Sequence, residues 1–136
     1  MIEENPHNLE PLTTFRKIFE SKDCKIYLYD HVLILEVKEG VTFCYENGFS
    51  LLLKCLSVLG TKPWFLISNR INSYSLNPND YKYLQQVPTL KGIAVVYKDE
   101  NLKQSANLEK NFFRKPFKAF INVEKACKWG FKLLED

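Results

Sequence analysis

From residue 15 onward the apolar positions change period several times, and each change marks an element. Phe15-Arg16-Lys17-Ile18-Phe19 mixes apolar and basic residues as an exposed first strand does. Lys25 to Tyr29 and Val32 to Val37 are β-rich runs joined at Asp30-His31, which predicts a hairpin with a two-residue turn. The period then lengthens to about 3.6: Thr42 is a good N-cap, Phe49, Leu52, Leu53, Leu56 and Leu59 fall on one helical face, and Gly60 supplies a stop. This first helix is expected to be deeply buried. After Pro63 the run Trp64-Phe65-Leu66-Ile67 is apolar without a break, which suits a short central strand covered on both faces.

Punctuation residues set out the second half. Asn77 caps a short helix with Pro78 in its first turn, where the missing N–H is harmless, and Pro88 lies beyond its end. Ile93 to Tyr97 reads as a buried strand, Asp99 caps a helix reaching about Phe113, and Phe117 to Ile121 reads as a last strand. Asn122 and Glu124 open a C-terminal helix to about Glu135. Strands alternating with helices after a hairpin predict an α/β layer fold with a mixed sheet of about five strands and about four helices. Its expected core holds Phe49, Leu52, Leu53, Leu56, Trp64, Leu66, Val95, Phe120 and Trp129. Residues 1–13, with Pro6 and Pro11 and no sustained period, read as a loose N-terminal arm, and residues 14–136 as one domain.

Composition narrows the classes. A chain of 136 residues that is 46% hydrophobic can bury one core, and a net charge of +3 shows neither the basicity of a dedicated nucleic-acid binder nor an acidic tail. The basic, aromatic stretch Lys110 to Lys118 reads as core phenylalanines with snorkelling charges, so no nucleic acid is expected. The four cysteines lie in patterned apolar segments without a Cys-x-x-Cys pair, and read as reduced thiols. Phe49 to Leu59 falls short of the roughly 20 apolar residues of a membrane span, and Met1 to Pro6 fits no secretory leader. A cytoplasmic protein is expected.

The candidate site lies where apolarity stops. Ser68, Asn69 and Arg70 follow the central strand at its carboxyl end, where open α/β sheets keep their crevices, and Ser73, Tyr74 and Ser75 continue the same polar loop. Arg70 is expected to be partly exposed and free to hold an anion. Ser and Asn are also ordinary turn formers. His7 and His31 have no further ligands at metal spacing, so no metal is implied, and Cys44 is the one thiol near a helix start. With five glycines, no Gly-rich phosphate loop, no Gly-x-Ser-x-Gly and no His-Glu-x-x-His, no enzyme signature and no cofactor is implied.

The order of elements, and the tail Lys115-Pro116-Phe117-Lys118-Ala119-Phe120 followed by Glu124-Lys125-Ala126-Cys127-Lys128-Trp129, resembles the STAS or SpoIIAA-like proteins, the architecture of anti-sigma-factor antagonists. The resemblance implies a non-catalytic regulatory or binding module that engages a protein or small ligand through the loop after the central strand. A homodimer is left open. Signalling members carry an Asp-Ser pair and then Gly in that loop, with the serine phosphorylated. Here Ile67-Ser68-Asn69-Arg70-Ile71 lacks both features, so Ser68 is not expected to be phosphorylated efficiently. Related STAS-like layers can hold apolar molecules between sheet and helices, which makes a carrier of a lipid or other apolar molecule the alternative; an enzyme without a recognisable motif is the third class.

Overall fold

A computed structural model describes residues 6–135. Its strands are β1 (Phe15–Glu20), β2 (Cys24–Tyr29), β3 (Val32–Val37), β4 (Thr42–Phe43), β5 (Trp64–Arg70), β6 (Ser75–Leu76), β7 (Leu90–Tyr97) and β8 (Phe117–Phe120). Its helices are α1 (Tyr45–Leu59), α2 (Tyr81–Gln85), α3 (Glu100–Glu109) and α4 (Val123–Leu134), with single 3-10 turns at Pro78–Asp80 and Lys110–Phe112. Six strands form one sheet in the order β1-β2-β3-β5-β7-β8, and β4 and β6 form a separate parallel pair. The first two pairings are antiparallel and the next three parallel, so the sheet is mixed.

Local chemistry accounts for the boundaries. His31 takes the left-handed backbone (φ 66°) in the β2–β3 turn, and its Nδ1 lies 2.7 Å from the Pro63 carbonyl, tying the hairpin to the entry of β5. Asn77, Asp99 and Asn122 cap the 3-10 turn, α3 and α4, accepting from the backbone N–H groups of Asn79, Asn101 and Lys125. Thr42 does not cap α1. It lies in β4, drawn into extended pairing with β6, and Cys44 is the N-cap. Asn47 Oδ1 accepts from the Cys44 backbone N–H at 2.6 Å, and Asp80 Oδ2 accepts from the Tyr45 N–H at 2.8 Å.

The sheet is covered on both sides, and strand alternation assigns its residues to two cores rather than the single one expected, with Phe120 and Trp129 packing on the α4 side. Leu33, Trp64, Leu66, Ile93 and Val95 face α1, α2 and α3, whereas Tyr29, Ile34, Phe65, Ile67 and Val96 face α4. Gly130 of α4 rides on Phe65 so closely that a Cβ would fall 2.1 Å from the ring. That contact explains a glycine inside a helix, where it otherwise costs about 0.5–1 kcal/mol against alanine.

The core differs from expectation in three places. The buried stripe of α1 is Leu51, Leu52, Cys55 and Leu59, while Leu56 is only partly buried and Phe49 and Leu53 are 41% and 49% exposed. With Leu51, Leu52, Leu53 and Leu56 so closely spaced, the pattern leaves the phase of the helix open by one position, and the sheet chooses it. Phe120 and Trp129 are half-buried, packed on each other at a ring separation of 5.5 Å. Residues 6–13 are also held: Leu9 is buried in the α4-side core, and Thr13 Oγ1 donates to the Asp30 carbonyl at 2.8 Å. Leu9 belongs to the same buried cluster as Tyr29 and Ile34. Residues 1–5 of the expected arm lie outside the described residues.

Candidate functional site

Ser68, Asn69 and Arg70 are the last three residues of β5 rather than a loop, and all three are buried. Because a strand sends successive side chains to opposite faces, the triplet does not act together. Ser68 and Arg70 lie on the same face as Trp64 and Leu66, and Asn69 lies on the other.

On the α4 face Asn69 Nδ2 donates to Glu36 Oε2 at 2.7 Å, and the same oxygen meets His7 Nε2 at 2.7 Å. His7 Nδ1 is 2.8 Å from the Tyr29 hydroxyl. Burial works to raise the Glu36 carboxyl pKa, but the hydrogen bonds from His7 and Asn69 outweigh it and leave the value lowered. Burial pushes the Tyr29 hydroxyl up to about 12. This network fastens the segment before β1 to the sheet, and sequence reading missed it. Its one legible signal is Glu36, an acid on a β3 face that otherwise carries Val32 and Ile34.

Arg70 is not free. It is 6% exposed, and its guanidinium grips Glu109 of α3, itself 5% exposed. Nη1 donates to Glu109 Oε2 at 2.7 Å, Nη2 donates to Oε1, and the carboxylate also accepts from the Tyr81 hydroxyl at 2.6 Å and from Ser105 Oγ at 3.3 Å. Burial works to lower the Arg70 pKa, and the Glu109 hydrogen bonds overcome it, so the net shift is upward. Burial first, then the Glu109 charge, pushes the Tyr81 phenol well up. Arg70 Nε is buried without a hydrogen-bond partner among the described residues. Glu109 shares the buried side of α3 with Ala106, a placement that only the folded helix reveals.

The loop from Ile71 to Asn77 separates two concavities. Outside it lies a broad cleft of about 640 Å³ against α3, lined by Arg70, Ser73, Tyr74 and Ser75 together with Leu108 and Phe112. Inside it lies a pocket of about 110 Å³ between the sheet and α1 and α2. Its floor is Ile26, Leu33, Leu66 and Ile93, and Phe43, Tyr45, Phe49 and Leu84 form much of its wall. Ser68 and Tyr74 bring hydroxyls to this apolar space, with Ser68 Oγ 3.3 Å from the Tyr74 oxygen. The Tyr74 ring stands edge-on to Phe43 at 6.4 Å and under the Arg70 guanidinium at 5.9 Å. The structure thus gathers Ser68 and Tyr74 at the pocket and Arg70, Ser73, Tyr74 and Ser75 at the cleft, and sends Asn69 away from both.

Activated nucleophiles and metal cages are not assembled among the described residues. The four thiols are free, and no three metal-ligating side chains come together. Cys44, at the pocket wall, has its thiol pKa raised, first by a hydrogen bond to Glu46 and then by burial, the opposite of nucleophile activation. Burial pushes Cys55 and Cys127 up to about 12. No described helix is long and apolar enough to cross a membrane.

An antiparallel hairpin edge passing into parallel strands, with helices on both faces and a small apolar pocket under α1, defines a mixed α/β layer protein. The fold is SpoIIAA-like: the chain is similar to the crystal structure of an uncharacterised protein of the DUF3478 family with a SpoIIAA-like fold, from Shewanella loihica PV-4. The similarity covers 86% of this chain and 92% of that one, with a TM-score of 0.51 and 16% sequence identity. No family model and no curated protein matches the sequence.

Proposed function

We propose that this protein is a non-catalytic binding module whose ligand is a small apolar molecule held between the sheet and helices α1 and α2. The observation that carries this reading is the inner pocket, which is concave and apolar with few polar groups, the general character of small-molecule sites. The loop after the central strand takes part, as Tyr74 and Leu76 close one side. An apolar binding role is favoured over a free anion-binding arginine, because Arg70 already spends its guanidinium on Glu109. It is favoured over catalysis because, among the described residues, the charged side chain in the pocket lining is Asp80, which accepts from the Tyr45 N–H at the start of α1 and meets no described acid or base partner there. A regulatory role follows if filling the pocket alters the loop.

Toluene titrated into isotope-labelled protein tests the reading. Saturable shifts are expected at Leu33, Leu66 and Ile93, and Leu84→Phe, which adds bulk to the wall, should abolish them. Absence of saturable shifts, or shifts unchanged in Leu84→Phe, would refute it.

A further inference from the structure

We infer that the pocket selects a neutral single-ring molecule bearing one hydroxyl, a phenol in chemical class, through the paired hydroxyls of Ser68 and Tyr74. This rests on the proposal that the pocket takes an apolar ligand, and it specifies which one.

Ser68 interrupts an apolar strand face, following Trp64 and Leu66, and is 3% exposed. Among the described residues its Oγ and the Tyr74 oxygen are each other's one hydrogen-bond partner, at 3.3 Å, long beside the usual O–H···O separation of about 2.7–2.8 Å. Two hydroxyls carry two protons, and one bond between them uses a single proton. A donor and spare lone pairs therefore remain at the pocket wall, on the buried Ser68 and the half-buried Tyr74. A ligand hydroxyl answers both needs, accepting the spare proton and donating its own to the other oxygen. Tyr74 is positioned for this by its T-shaped contact with Phe43 and by the guanidinium of Arg70 over its ring.

Charge and size narrow the ligand further. Among the described residues no lysine or arginine lines the pocket and Asp80 does, so a carboxylate or phosphate would be desolvated beside a like charge with no described cation to offset it. The oxygen that enters is neutral. A volume of about 110 Å³, with an open outer rim at the exposed Phe49, is on the scale of the ~150 Å³ cavity that takes up benzene, which suits one ring rather than a long chain.

The test compares phenol with toluene, molecules of similar shape, by NMR titration of the wild type, Ser68→Ala and Tyr74→Phe, each first shown to be folded by its own spectrum. Each substitution is expected to weaken phenol about 3- to 10-fold, the worth of one ordinary hydrogen bond, and to leave toluene as tight or tighter. If both ligands bind and the phenol-to-toluene ratio is the same in all three proteins, hydroxyl selection is wrong while the apolar pocket stands. If neither binds the wild type, both readings fall.

Discussion

Glu109→Ala removes the counter-charge of Arg70 from a place where neither side chain is more than 6% exposed. The substitution leaves a guanidinium buried without its carboxylate, and the Tyr81 hydroxyl loses the acceptor it reaches at 2.6 Å. Breaking a buried pair by removing one member costs about 3–5 kcal/mol, and an orphaned hydroxyl adds about 1–3 kcal/mol when nothing relaxes. Water entering from the neighbouring cleft will recover part of this, so the expected loss is about 4 kcal/mol. Urea denaturation at neutral pH measures it: with an m-value of about 2 kcal/mol/M, the midpoint should fall by about 2 M. The pair itself is another matter, because two well-packed apolar groups can replace a buried ion pair at little or no cost. Arg70→Met with Glu109→Leu should therefore recover most of the stability that Glu109→Ala loses. A single-variant loss below about 1 kcal/mol, or a double variant no better than the single, would refute the view that Arg70 is a locked structural charge.

Leu52→Ala should cost about 2–5 kcal/mol by the same assay, whereas Leu53→Ala, half exposed on the outer side of α1, should cost less than about 1 kcal/mol; equal losses would put the helix in the wrong phase. Gly130→Ala should lower the thermal midpoint despite alanine's better helix propensity, because its Cβ meets the Phe65 ring, and a rise would show that α4 has room to shift. The lowered pKa of Glu36 makes its contribution to stability full above the unfolded carboxyl value of 4.5 and lost as pH falls through the lower folded value. Glu36→Gln should thus flatten the acid limb of the stability profile, measured by denaturation from pH 6 down to pH 2 (about the range in which such carboxylates titrate); an unchanged slope would remove Glu36 from the acid response.

The order and type of the main elements were legible in the chain because they rest on local chemistry. Cap residues such as Asn77, Asp99 and Asn122 act within a few positions of themselves, and the short, β-rich apolar runs of β3, β5 and β7 favour backbone pairing in a sheet. A polar loop beside the central strand was legible for the same reason. Which residues within it cooperate was not. Ser68, Asn69 and Arg70 are consecutive letters, but the pleat gives Ser68 to the pocket, Asn69 to Glu36 and Arg70 to Glu109, 39 positions away in sequence.

Sequence alone determined the periods, the breaks and the caps at Asn77, Asp99 and Asn122, and through them the mixed α/β class. Only the tertiary structure decided the phase of α1, the pairing of β4 with β6, the hold on residues 6–13 and the burial of Arg70. Each of these depends on a surface presented by another element far along the chain. A leucine-rich helix has more than one apolar side to offer, a short extended segment takes whatever edge it meets, and an arginine is exposed or buried according to whether an acid arrives to neutralise it. The pocket follows the same rule, since its floor, wall and two hydroxyls come from elements that become neighbours only when the sheet is complete.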